Sequence, residues 1–285
     1  MKKIVIALIA TLALPASAQS SSKIYAQELI EETLVRNPEV LELTMHVAPK
    51  GSDNVVIASN RKTIGVKSGP DDLAVIDSGR PRWKIGSGGD RFESEFVLMD
   101  MTGDTVGAIE IVLPFYKGAD ASLSQIKAEQ IRNALRRRII NIGNLMDPVP
   151  YVQNFNASPF GQKLIDETME IHPELLVLVM HVLSQNGSDY PIIASSIGRI
   201  GKKADEGDRQ VAEGGAPILG TYGASKNRFG IELPLRDVSG KVIGALSTGF
   251  SYKEGDDQQV LLQSAQQIEA ALSKQIPSLA KLLAR

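Results

Sequence analysis

From Leu41 to Val47 (LELTMHV) apolar and polar side chains alternate, the period-two signature of a strand with one buried face. A second run at Val55–Ser59 follows across a Gly51-Ser52-Asp53 turn, so the two predict a hairpin. Ahead of them the spacing predicts a helix over roughly Lys23–Arg36, with serines as caps and Asn37-Pro38 as a stop. Behind them lies a polar, Gly-rich stretch with brief helical propensity at about Asp71–Asp77. Two further strands follow, about Arg91–Met99 and Val106–Pro114, joined by a D-x-x-G turn, and a helix from about Leu123 to Ile142 closes the series.

The same series then recurs. Tyr25–Val47 set over Phe160–Val182 gives 12 identities in 23 positions, including Thr33/Thr168, Pro38/Pro173, Met45/Met180 and His46/His181. The match continues through Gly51–Asp53 and Gly187–Asp189, then Ile57–Ser59 and Ile193–Ser195, then Asp72/Asp208 and Pro81/Pro217. It resumes at Arg91/Arg228, Glu95/Glu232, Asp100–Gly103 with Asp237–Gly240, and Gly107/Gly244, and it ends in two matching helices. A whole domain has been duplicated. Strands framed by helices predict an α+β class in which each copy is an antiparallel sheet with N- and C-terminal helices packed on it. The domains are expected at 20–146 and 160–285, joined by a Pro-containing linker at 147–159.

The N-terminus departs from this pattern. Lys2 and Lys3 precede the apolar run Ile4–Leu14, then Pro15 and the small residues Ala16, Ser17 and Ala18, the order of a cleaved secretion signal over residues 1–18. The run is shorter than the ~20 residues that span a bilayer. The expectation is a mature chain that starts at Gln19 and is soluble in a bacterial periplasm, without a stable membrane anchor. The chain has no cysteine, which excludes a lipoprotein anchor, disulfides, c-type haem attachment and thiolate metal sites. A net charge of −2 from 31 basic and 33 acidic residues advertises no face for nucleic acid.

Candidate chemistry is sparse. His46 and His181 fall on the polar side of the first strand of each copy, with Glu42 and Thr44 beside His46. They read as walls of a ligand pocket, as satisfied core histidines, or as haem or metal ligands. The adjacent Met45 and Met180 point to the opposite face and cannot share an ion with them. One histidine per copy is too few for a closed zinc site. Arg91 and Arg228 open equivalent strands; a guanidinium there can grip a carboxylate or phosphate, or pair with Glu95 or Glu232 four residues on. Trp83 and Tyr222 lie in the polar middle, where the copies differ most, and an aromatic there can stack on a ligand. That difference suggests that the copies do not bind the same ligand. Arg136-Arg137-Arg138 reads as a solvated face or a docking patch. No catalytic motif is found: Gly86-Ser87-Gly88-Gly89 lacks the register of a phosphate loop, and Ser278-x-x-Lys281 has none of the companions an acyl enzyme needs. No enzyme, cofactor or metal is expected.

The closing hairpins, RFESEFVLMDMTGDTVGAIEIVLPFY at Arg91–Tyr116 and RFGIELPLRDVSGKVIGALSTGFSY at Arg228–Tyr252, give each copy a resemblance to the extracytoplasmic Cache domains, the PAS-like sensing modules of periplasmic proteins and receptor ectodomains. The resemblance implies a sheet of about five strands per copy with a small ligand on one face, and it assigns the strand arginines to an acidic ligand. Membrane helices and output domains typical of such sensors are not seen in this sequence. The expected function is therefore small-molecule binding or sensing, with a small anionic metabolite as ligand and Arg91, His46, Trp83, Arg228, His181 and Tyr222 as candidate contacts. A haem or metal protein using His46 and His181 is the alternative. A membrane receptor or transporter as partner, and a homodimer, stay open.

Overall fold

The computed structural model describes residues 23–284 apart from 152–154, 156, 185, 186 and 188. The predicted export signal and Ser188 lie outside the described residues. The first module runs α1 (Tyr25–Arg36), β1 (Glu42–Val47), β2 (Val55–Ser59), α2 (Pro70–Ser78), β3 (Arg82–Ile85), β4 (Arg91–Met99), β5 (Thr105–Pro114), α3 (Ala121–Arg136) and α4 (Ile142–Leu145). The second repeats it as α5 (Pro159–Ile171), β6 (Leu175–Val182), β7 (Ile192–Ser195), α6 (Glu206–Ala212), β8 (Ile218–Tyr222), β9 (Arg228–Arg236), β10 (Val242–Ser251), α7 (Gln258–Ser273) and α8 (Leu279–Leu282). Each module holds a five-stranded antiparallel sheet, in the orders β2-β1-β5-β4-β3 and β7-β6-β10-β9-β8. The expected α+β architecture of two tandem PAS-like modules is the observed one.

Alternation decides the two faces of each sheet. In module 1, Leu43, Met45, Phe92, Phe96, Leu98, Ile109 and Ile111 point to one side and form a core with Leu29 and Ile30 of α1 and Ala128, Ile131 and Leu135 of α3. In module 2, Met180, Phe229, Ile231, Leu233 and Leu246 do the same against α5 and α7. Each fully buried side chain of this kind contributes about 1.5–3 kcal/mol. The opposite face carries Glu42, Thr44 and His46 in one module and Val177, Val179 and His181 in the other; α2 or α6 crosses it. The function-bearing parity read from the first strand is therefore the face turned away from the long helices.

Two elements depart from the sequence reading. The residues alone gave four strands per copy, whereas β3 and β8 add a fifth. β3 (RWKI) alternates polar and apolar over only four residues and is exposed at every position, too short a run to be read as a strand without its pairing with β4. The closing helix of module 1 stops at Arg136, not near Ile142, because the chain turns so that the Ile139 carbonyl accepts from Met101 N–H.

The modules are joined by more than the linker. Met101 and Ile140 of module 1 pack on Val179, Ile192 and Ile197 of module 2. The hydroxyl of Tyr25, which is fully buried, donates to the Ile197 carbonyl, and burial pushes its pKa up to about 12. Asp147 accepts from Arg199 at 2.7 Å and also pairs with Lys202. At the far edge, Asp104 accepts from the Ser225 hydroxyl at 2.6 Å. Asp147→Ala leaves two part-buried cations facing each other without their acid. It is expected to cost about 2–3 kcal/mol in urea denaturation, below the range for fully buried pairs because some water reaches the site; a loss under about 0.5 kcal/mol would make this clamp ornamental.

Candidate functional site

Strand register puts the second face of each sheet into rows that cross the strands. In module 1 one row reads Glu42, Val112, Glu93, Lys84. The equivalent row of module 2 reads Val177, Gly249, Gly230, Gly220. Four long or branched side chains have been exchanged for a valine and three glycines. In the next row Glu110 is replaced by Ser247. Module 2 contains a cavity of about 310 Å³ over this cleared floor, and among the described residues of module 1 a cleft of about 90 Å³ lies at the β3–β4 edge, between Trp83, Lys84, Glu93 and Glu95.

The ends of the cavity differ in charge. Arg228 begins β9 and Glu232 lies on the same pleat side four residues on, about 13 Å away at strand rise. Arg228 is 8% exposed, and its Nη1 is buried with no hydrogen-bond partner. Its guanidinium lies over the Tyr222 ring at 5.9 Å, and burial pushes its pKa below the ordinary value. Asp100 of module 1 acts on it from a distance, but the Asp100 carboxylate is engaged by the N–H groups of its own turn, those of Thr102 and Asp104. Among the described residues no carboxylate pairs with Arg228.

At the other end stand His181, Asp208, Asp205 and Glu232. The His181 Nδ1 faces the Tyr190 carbonyl at 3.2 Å and its Nε2 faces Asp208 Oδ2 at 3.3 Å. Both contacts are hydrogen bonds only when both ring nitrogens carry protons. Asp208 Oδ1 accepts from the Ser247 hydroxyl at 2.7 Å. Glu232 Oε2 is buried without a partner, and burial, with Asp208 and Asp205 nearby, pushes the carboxyl up to about 7. Oxygens of Asp205, Asp208 and Glu232 lie within 4.8 Å of one another, and among the described residues these three form a group that could hold a cation. The outer wall includes Ile140 of module 1 and Ile197, which the inter-module contacts hold in place.

Module 1 keeps the same His–Asp–Glu grouping but fills the space itself. His46 Nδ1 donates to the Ser68 hydroxyl at 3.0 Å, since that hydroxyl in turn donates to Asn54; Asp72 Oδ2 is 3.4 Å away. Burial lowers the His46 pKa, with Asp72 opposing it, and Nε2 is left buried and unpartnered. Glu95 is pushed up to about 7 by burial, then by Asp72, Asp71 and Glu110. Arg91 pairs with Glu42, which also holds Arg61 at 2.6 Å.

The sequence-selected residues thus fall into two groups. His181, Arg228 and Tyr222 all line the module 2 cavity. His46 and Arg91 occupy the same positions in module 1 and line neither the 310 Å³ cavity nor the 90 Å³ cleft. Trp83 lines the small module 1 cleft at the β3–β4 edge, where it faces Ser94 across the strands and stacks on Phe92 at 5.5 Å, half exposed. By register its counterpart is Leu219, not Tyr222. The local ion pairs Arg91–Glu95 and Arg228–Glu232 do not form, because residues four apart on a strand are too far apart for it. Sequence reasoning passed over Asp205, Asp208 and Glu232, although the duplication had already aligned Asp72/Asp208 and Glu95/Glu232. A larger open cleft of about 780 Å³ lies between the modules, with Arg136, Arg137, Asp166 and Glu170 on its walls, but none of the paired sheet-face residues reaches it.

No protein-family model matches the sequence, and no curated protein matches it. Among solved structures, the repressor BlcR of Agobacterium tumefaciens aligns at 14% identity with a TM-score of 0.28, over 40% of this chain and 66% of its own, so this chain spans just under two thirds of it. PelD of Pseudomonas aeruginosa aligns at 14% identity with a TM-score of 0.27, over 95% of this chain and 84% of its own. A second PelD structure, in complex with c-di-GMP, gives 14% identity and the same TM-score over 91% and 79%. Likenesses of this size carry no inference about the ligand of this chain.

Proposed function

We propose that this chain is an exported, Cache-like binding protein that senses a small anionic metabolite in module 2. One observation carries the reading: a cleared floor of glycines beneath a buried arginine whose Nη1 has no partner. A buried unpaired guanidinium nitrogen costs free energy, and a ligand oxyanion that satisfies it contributes a charge-assisted hydrogen bond. Tyr222 lies against the guanidinium and forms the near wall. The acidic far end favours a ligand whose other end donates hydrogen bonds or carries positive charge. Among the described residues no helix is long and apolar enough to cross a membrane, and in this reading occupancy is passed on by docking to a membrane partner. No catalytic step is assigned to the site.

Thermal shift against carboxylates, amino acids and related metabolites tests it. A ligand at ~100 times its Kd stabilises by roughly 2.7 kcal/mol. The stabilisation should vanish in Arg228→Leu and persist in Arg91→Leu. A library that stabilises nothing, or a shift that survives Arg228→Leu, would overturn the reading.

A further inference from the structure

The two arginines that open β4 and β9 sit in equivalent places and differ in what they hold. Arg91 holds the Glu42 carboxylate, and Arg61 holds it from a second side at 2.6 Å. The duplication places Val177 where Glu42 stands and Ile197 where Arg61 stands. The structure agrees: Glu42 and Val177 are opposite Val112 and Gly249, and the N–H groups of Arg61 and Ile197 donate to Ser59 and Ser195 hydroxyls at 3.0 and 3.1 Å. Module 2 has thus lost the carboxylate and its second cation together but has kept the arginine, now more deeply buried. Both Val177 and Gly249 line the cavity, and the Arg228 side chain runs beside Gly249, where an added Cβ would meet its Cδ at 3.5 Å. The empty volume therefore includes the place a Glu42-like carboxylate would occupy.

Resting on the reading that module 2 binds a small anion, we propose that module 1 is a self-liganded copy, in which Glu42 stands in permanently for the carboxylate that module 2 takes from solution. The ligand group that meets Arg228 is then a carboxylate, presented from the β6 side as Glu42 is presented from β1. Module 1 serves as the constitutively filled partner against which module 2 changes state. Its contribution to the shared wall, Ile140 against Ile197, stays fixed while the ligand comes and goes.

The experiment grafts the carboxylate into one module and removes it from the other. Val177→Glu should place an internal carboxylate on Arg228. The expected results are a Tm about 3 °C or more above that of the unliganded wild type and at least a tenfold loss of affinity for the best carboxylate found; Val177→Leu, which adds bulk without charge, should not raise Tm. Glu42→Val should lower Tm, and 50 mM sodium acetate should restore part of it relative to sodium chloride at equal ionic strength, with no acetate-specific recovery in the Glu42→Val/Arg91→Leu double variant. A Val177→Glu chain that binds as wild type does, or acetate recovery that ignores Arg91, overturns the proposal while leaving the binding function of module 2 standing. A wild type that binds no carboxylate while Val177→Glu is stabilised upholds the equivalence of the two positions and sinks the binding function instead. If Val177→Glu does not fold, the acetate arm decides alone.

Discussion

Alanine at Gly244 is expected to destabilise module 2 by about 3 kcal/mol or more, at or beyond the upper end of ordinary overpacking. A Cβ at this position would fall inside van der Waals contact of the His181 carbonyl oxygen and meet Val182 Cα at 2.8 Å. Both are backbone atoms of β6, which is clamped between β7 and β10 and cannot retreat. Gly107 makes the same approach to the His46 carbonyl and meets Val47 Cγ2 at 3.1 Å, so Gly107→Ala should do the same to module 1. Urea denaturation checks both. A loss under 1 kcal/mol would mean that the strands can part at this point, and that the paired glycines Gly107 and Gly244 are there for another reason.

Glutamine at Glu232 or Glu95 should instead stabilise the chain, and only at high pH. Each carboxyl is pushed up to about 7 in the fold, against 4.5 for the free side chain. The folded chain therefore holds a proton that the unfolded chain releases. That contribution is fully present below pH 4.5 and drains away as the pH rises through 7. Glutamine mimics the protonated form at every pH. The difference in stability between variant and wild type should be close to zero at pH 4.5 and grow to roughly 1–2 kcal/mol per site at pH 8, about half the unscreened value because neither carboxyl is fully withdrawn from water. Tm measured across pH 4.5–8 reads it. A difference that does not vary with pH would place both carboxylates in ordinary solvation.

Much of this was legible in the chain, and the reasons are local. The alternation in β1 gave the strand and placed His46 on the polar side, because parity on a strand depends on nothing beyond neighbouring residues. The D-x-x-G turns were read correctly as turn chemistry: Asp100 and Asp237 each accept from the N–H groups of their own turns, at 2.9–3.2 Å. The duplication gave the two modules and their equal architecture. What stayed hidden depends on long-range register. β3 alternates over only four exposed residues inside a polar, Gly-rich stretch, and it becomes a strand by pairing with β4. Trp83 could not be assigned a face without that pairing, so its stacking on Phe92 was out of reach. The cavity was spelled in the exchanges Glu42 to Val177, Val112 to Gly249 and Glu93 to Gly230, which are far apart in the chain. They become one row only when the sheet order is known.

The central claim is that one module, the second, takes a small carboxylate through Arg228. Calorimetric titration of the purified chain with the carboxylate that gives the largest thermal shift addresses it most directly. The account predicts one equivalent bound per chain, abolished in Arg228→Leu and unchanged in Arg91→Leu. Two equivalents per chain, or binding that is lost with Arg91 and kept without Arg228, would contradict it.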